Sequence, residues 1–131
     1  MSMIIEITRK IRIGEILQTP SGRSQFKIYH INADRVMIQT KKGTILTIPA
    51  SCFESVPNFL RGKDWVKIGA KYGIADKETL DGFLQRFTHG TSIASYVAPI
   101  LERTGIIEID RKLPAKIRLK IYKKNGVSPS T

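Results

Sequence analysis

The sequence predicts an α+β protein in which a small antiparallel N-terminal β-sheet is followed by a helical stretch that closes on a basic hairpin. Three observations carry this. Residues 1–48 alternate apolar and polar side chains and are broken by turn signals at short intervals. From Pro49 onward the apolar residues recur every three or four positions, and after Gly105 the period returns to two. A period of two marks half-buried strands and a period near 3.6 marks amphipathic helices. At 131 residues the chain suits one compact unit or two small interlocked lobes. Such a length buries roughly two thirds of its unfolded surface, so neither metal nor disulfide is needed to hold it together.

Ile4, Ile5 and Ile7 begin a stretch read as extended, which residues 14–17 continue. Thr19-Pro20-Ser21-Gly22 is a turn by composition, and Phe26, Ile28 and Tyr29 make the next strand. Asn32-Ala33-Asp34 turns the chain. Val36, Ile38 and Thr40 then alternate with Arg35, Met37 and Gln39, Lys41-Lys42-Gly43 turns again, and residues 44–48 return. Four or five such strands make a small antiparallel sheet or an SH3-like barrel. In the second half, Phe53, Val56 and Leu60 follow Pro49 at helical spacing, Pro57 is expected to split them into two short turns, and Gly62 ends them. Residues 65–72 are read as an extended connector with Trp65 in the core. Asp76 is expected to cap a helix carrying Leu80, Phe83, Leu84 and Phe87 on one side. After the turn Thr88-His89-Gly90-Thr91, Thr91 or Ser92 is expected to cap a helix with Ile93, Val97, Ile100 and Leu101 on its apolar stripe. Pro99 should kink that helix and Gly105 should stop it. Residues 106–109 and 115–122 then pair as strands. The expected organisation is a β-rich module over 1–48, a second unit over 49–122 and a flexible tail over 123–131.

Charge narrows the function classes. There are 22 Lys and Arg against 11 Asp and Glu, a formal net charge of +11. Such an excess attracts polyanions, of which nucleic acids come first and anionic membranes second. A membrane role would normally show an apolar span or a basic amphipathic helix; no run of the sequence has the length of a span and the N-terminus does not read as a signal peptide, so a membrane partner is not expected. Cys52 is the only cysteine, which rules out an internal disulfide and a cysteine-pair zinc finger and suits a cytoplasmic location.

Helix, short glycine-containing turn, capped helix and basic two-stranded hairpin, in that order, resemble a winged helix-turn-helix over about residues 49–122. The resemblance implies a recognition helix over 92–104 and a wing over 106–122. Between Arg111 and Lys124 lie seven basic residues and no acidic one. Lys116, Arg118 and Lys120 share one strand face, while Ile117, Leu119 and Ile121 share the other. The cations then stand about 7 Å apart, a spacing suited to phosphates along a backbone. Arg111 and Lys112 sit at the tip. The helix would present Ser92, Ser95, Tyr96, Pro99 and Arg103 outward. It lacks Arg, Lys, Asn and Gln on its first two turns, the usual readers of guanine and adenine. Arg9, Lys10 and Arg12 form a second basic cluster, whereas Lys41 and Lys42 read as ordinary turn charge.

Catalytic constellations are sparse. His30 and His89 are far apart, no glycine-rich phosphate loop is present, and Cys52 reads as core. Asp110-Arg111-Lys112 after an apolar strand is the end of a metal-dependent nuclease pattern, with Asp81 as the sole upstream carboxylate in prospect. The expectation is therefore a non-enzymatic, cofactor-free DNA-binding accessory or regulatory protein acting on duplex DNA, able to homodimerise. An interaction adaptor whose winged helix contacts a protein partner is the alternative, and the nuclease a minor one. Charge alone does not separate DNA from RNA, and no aromatic platform for single strands is evident in the sequence.

Overall fold

A computed structural model describes residues 2–69, 78–88 and 91–120. The expected Asp76 cap, the His89-Gly90 turn centre and the tail over 123–131 lie outside them, as do residues 121–122 of the last strand. The fold is α+β, with a four-stranded antiparallel sheet, a small three-stranded sheet and four helices among the described residues.

The first element corrects the sequence reading. Met3–Lys10 is a helix, α1, and not an extended stretch. The Ser2 hydroxyl accepts the Ile5 N–H at 3.4 Å, and the Glu54 carboxylate accepts the Met3 N–H at 2.9 Å. Two unpaired N–H groups of the first turn are thus satisfied, and a negative charge sits where the helix dipole favours it. Met3, Ile4, Ile7 and Ile11 are buried on one side while Ile5 is 53% exposed, so the three isoleucines follow the helical period.

The sheet is an open meander, β1 (Ile16–Gln18), β2 (Gln25–Ile31), β3 (Arg35–Thr40) and β4 (Ile45–Pro49), with β1 and β4 at its edges. The turns form where composition placed them. The Asn32 side chain accepts the N–H groups of Asp34 and Arg35, and Gly43 takes φ +93° in the β3–β4 hairpin. Leu17, Phe26, Ile28, Val36, Ile38 and Ile48 make the inner face. On the outer face Ile16, Lys27, Gln39 and Ile45 line up across all four strands.

Helix α2 (Ala50–Leu60) runs unbroken through Pro57, where two separate turns were expected. Cys52, Phe53, Val56 and Leu60 are all fully buried, and the apolar area they hide outweighs the one hydrogen bond a proline removes. Strand β5 (Val66–Lys67) follows. Helix α3 (Leu80–Thr88) opens with the Thr79 hydroxyl accepting the Gly82 N–H at 3.0 Å. Helix α4 (Ala94–Thr104) is central. Val97, Ala98, Pro99, Ile100 and Leu101 are all buried, and Gly105 at φ +84° ends it. Its cap position is Ile93, with no side-chain cap bond, so neither Thr91 nor Ser92 serves as expected. Strands β6 (Ile107–Asp110) and β7 (Lys116–Leu119) pair antiparallel, and β5 pairs with β7 on the other side, giving the order β5-β7-β6.

One contiguous apolar core runs from Met3 and Phe26 through Phe53 and Leu84 to Ile117. It draws on residues from both sides of position 48. Trp65 is not part of it: the indole is half-buried beneath a guanidinium.

Candidate nucleic-acid interface

Sheet alternation places the wing cations as the period predicts. Ile117 is buried, so Lys116 and Arg118 stand on the solvent side of β7, whereas Lys120, expected in the same row, is exposed but lies one position past the strand's last residue, Leu119. The pairing register adds what the strand alone did not show. Lys116 stands between Asp110 on β6 and Lys67 on β5, and Arg118 stands opposite Glu108. Arg118 donates through Nε to Glu108 and through a terminal nitrogen to Asp64, both at 2.8 Å, and lies 4.2 Å from the centroid of the Trp65 ring. These carboxylates, Glu108 first, push its pKa up. Arg111 grips Glu102 with two parallel bonds of 2.7 and 2.6 Å, which raises its pKa as well.

The expected uninterrupted row of cations is therefore corrected. Glu108 and Asp110 alternate with Ile107 and Ile109 at the same period that sets Lys116 and Arg118 apart. An antiparallel hairpin brings the two polar rows together. Among the described residues, Lys67, Lys112, Lys116 and Lys120 make no ion pair. Lys116 is held loosely, by a 3.2 Å bond from Nζ to the Pro114 carbonyl. Sequence reasoning missed Lys67. Its distance from the hairpin hid it, and only the β5–β7 pairing reveals it.

The helix expected to read bases is placed differently. Pro99 is buried, not outward. Tyr96 is half-buried and meets Phe26 of β2 edge-on. Arg103 is bound to the Glu15 carboxylate and donates to the Lys10 carbonyl at 3.1 Å. Through that bond, first, Arg103 holds the Glu15 carboxyl below its ordinary pKa, and the Arg12 N–H adds to the effect. The Ser92 hydroxyl donates to buried Asp81 at 2.8 Å. Among the described residues, Ser95 alone of the expected helix contacts is exposed without a hydrogen-bond partner. The N-terminal helix and sheet thus engage Tyr96 and Arg103 of the face that was expected to enter a groove, while Ser92 and Ser95 stay exposed.

The carboxylates considered for a metal are also engaged. Asp81 accepts Ser92 and Gln85, and Asp110 accepts the Lys112 N–H at 3.0 Å. No group of three or more His, Cys, Asp or Glu that could hold a metal ion occurs among the described residues. No described helix is long and apolar enough to cross a membrane. Comparison with protein-family models, with curated proteins and with solved structures finds no match to this chain.

Proposed function

We propose that this protein binds duplex DNA through its C-terminal half, resting on the phosphate backbone without reading bases, as an accessory protein that does no chemistry of its own. The order helix, helix, antiparallel hairpin, with β5 completing the small sheet beside β7, supports a winged-helix reading of α2 to β7. The observation that carries the proposal is the pairing of Lys67 with Lys116 directly across two strands. Like charges in that position destabilise a sheet. A phosphate set between the two ammonium groups turns the repulsion into attraction. Lys120, just past the end of β7, extends the contact at one end, and Lys112 extends it at the tip. Base readout is not part of the proposal, because α4 presents so little free polar side chain. The alternative of a protein-binding α4 face draws no support, since Tyr96 and Pro99 are taken up inside the chain.

Anisotropy of a labelled duplex at two salt concentrations tests this. Log affinity should fall with log salt by about 0.9 per phosphate neutralised. Lys67→Gln with Lys116→Gln and Lys120→Gln should weaken binding uniformly across sequences and flatten that slope. Salt-independent binding, or a triple variant that binds as the parent does, sinks the idea.

A further inference from the structure

We infer that the outer face of the four-stranded sheet is a separate site for single-stranded nucleic acid. The irregularity in β2 is the starting point. Ile28 pairs with Ile38, but His30 pairs with Met37, so the register slips by one residue at Tyr29. A bulge of this kind breaks the alternation of faces and re-aims a side chain. Here it leaves Tyr29 and His30, two consecutive rings, both exposed, before Ile31 turns back toward the core. Tyr29 is 50% exposed, and neither ring makes a hydrogen bond or ring contact among the described residues. Two free rings on a sheet surface are what unpaired bases stack upon, and stacked duplex bases do not offer their faces this way.

Charge agrees. Residues 16–49 hold Arg23, Lys27, Arg35, Lys41 and Lys42 against Asp34 as the sole carboxylate. None of these five cations makes an ion pair among the described residues. On the smaller sheet, by contrast, Asp64 and Glu108 both pair with Arg118. Ile16, Gln25, Lys27, Gln39 and Lys41 are among the residues that line a shallow hollow of about 230 Å³ in the same sheet. The exposed apolar residues do not merge into one patch, because Lys27 and Gln39 separate Ile16 from Ile45 in their cross-strand row. That pattern suits bases and phosphates better than an apolar protein surface.

The full chain is titrated against one labelled oligonucleotide sequence as single-stranded RNA, as single-stranded DNA and as duplex DNA. Tyr29→Ala with His30→Ala should weaken single-strand binding by about tenfold or more, the loss expected for one or two stacked bases. Tyr29→Phe should retain binding, since stacking uses the ring. Lys27→Gln with Lys41→Gln and Lys42→Gln should weaken it and flatten its salt dependence. Duplex binding should be unchanged in all of these, and the Lys67, Lys116 and Lys120 substitutions should leave single-strand binding unchanged. Binding of either sugar chemistry supports the inference. Absence of single-strand binding overturns it, as does equal loss on duplex and single strand. So does binding of polyglutamate as tight as that of the oligonucleotide and indifferent to Tyr29→Ala, which marks an acidic-protein surface instead. Failure of the Lys67 set to weaken duplex binding counts against the C-terminal site alone.

Discussion

The Tyr96 ring on α4 meets the Phe26 ring on β2 edge-on, with centroids 5.1 Å apart and planes at 80°. This contact joins the helix expected to face DNA to the N-terminal sheet. Edge-to-face pairs contribute about 0.5–1.5 kcal/mol beyond the area they bury. Tyr96→Ala should therefore lower stability by about 2 kcal/mol, and Phe26→Ala, at a fully buried site, by about 3–5 kcal/mol. Urea unfolding of both and of the double variant should show coupling within the edge-to-face range. Duplex affinity of folded Tyr96→Ala should match the parent. A loss of affinity without loss of stability would return Tyr96 to the binding surface.

Legibility followed the range of the interaction. Turns fixed by local chemistry, such as Asn32 and Gly43, were readable because the causes lie within four residues. The alternation in β3 and the stripe Ile93, Val97, Ile100 and Leu101 were readable because burial imposes one period on each. Met3–Lys10 was misread because β-branched residues favour strands locally, while the capping Glu54 lies 51 residues from Met3. The candidate site failed in the same way. Seven cations in a row look free until the hairpin register sets Glu108 against Arg118, and until Asp64, far away in the chain, joins them. The bulge at Tyr29 has no sequence signature, so the exposed pair of rings emerges only with the register.

Glu15 and Arg103 predict an acid-side effect. Bonding to Arg103 holds the Glu15 carboxyl below its ordinary pKa in the folded chain. A depressed carboxyl pKa contributes stability above the unfolded value, about 4.3, and that contribution is lost as pH falls through the folded value. Both side chains are substantially exposed, so the effect should not exceed about 1 kcal/mol. Thermal melts should show Glu15→Gln below the parent at pH 7, with the gap closing below about pH 4. A constant gap would show that Glu15 acts by packing rather than by charge.

Cys52 predicts an effect at the alkaline end. The thiol is fully buried, and desolvation pushes its pKa up to about 11. Since the thiolate is the reactive form, a disulfide reagent should leave the native protein unlabelled at pH 8 and label it fully in urea. In the unfolded chain the thiol ionises near pH 8.5. Stability should therefore be complete below that pH and decline as pH rises toward the folded value, and Cys52→Ala should lessen the decline. Rapid labelling of the folded protein at neutral pH would contradict the burial.

Arg118 offers a gain-of-function test of the C-terminal surface. Glu108 and Asp64 now neutralise it. Glu108→Gln and Asp64→Asn keep an oxygen that can accept from the guanidinium, so the stacking on Trp65 and the sheet register should survive. What changes is the charge: the cation is no longer answered, and its field adds to that of Lys67, Lys116 and Lys120. Duplex DNA should then bind more tightly at low salt, and the log–log slope should steepen by up to about 0.9 for one further phosphate. The gain should shrink as salt rises, because screening removes an electrostatic term and spares a packing one. If affinity and slope both stay at the parental values while the melt is unchanged, the DNA does not pass over β7. The basic face of the small sheet would then lose its assigned role, whatever the outer face of the larger sheet binds.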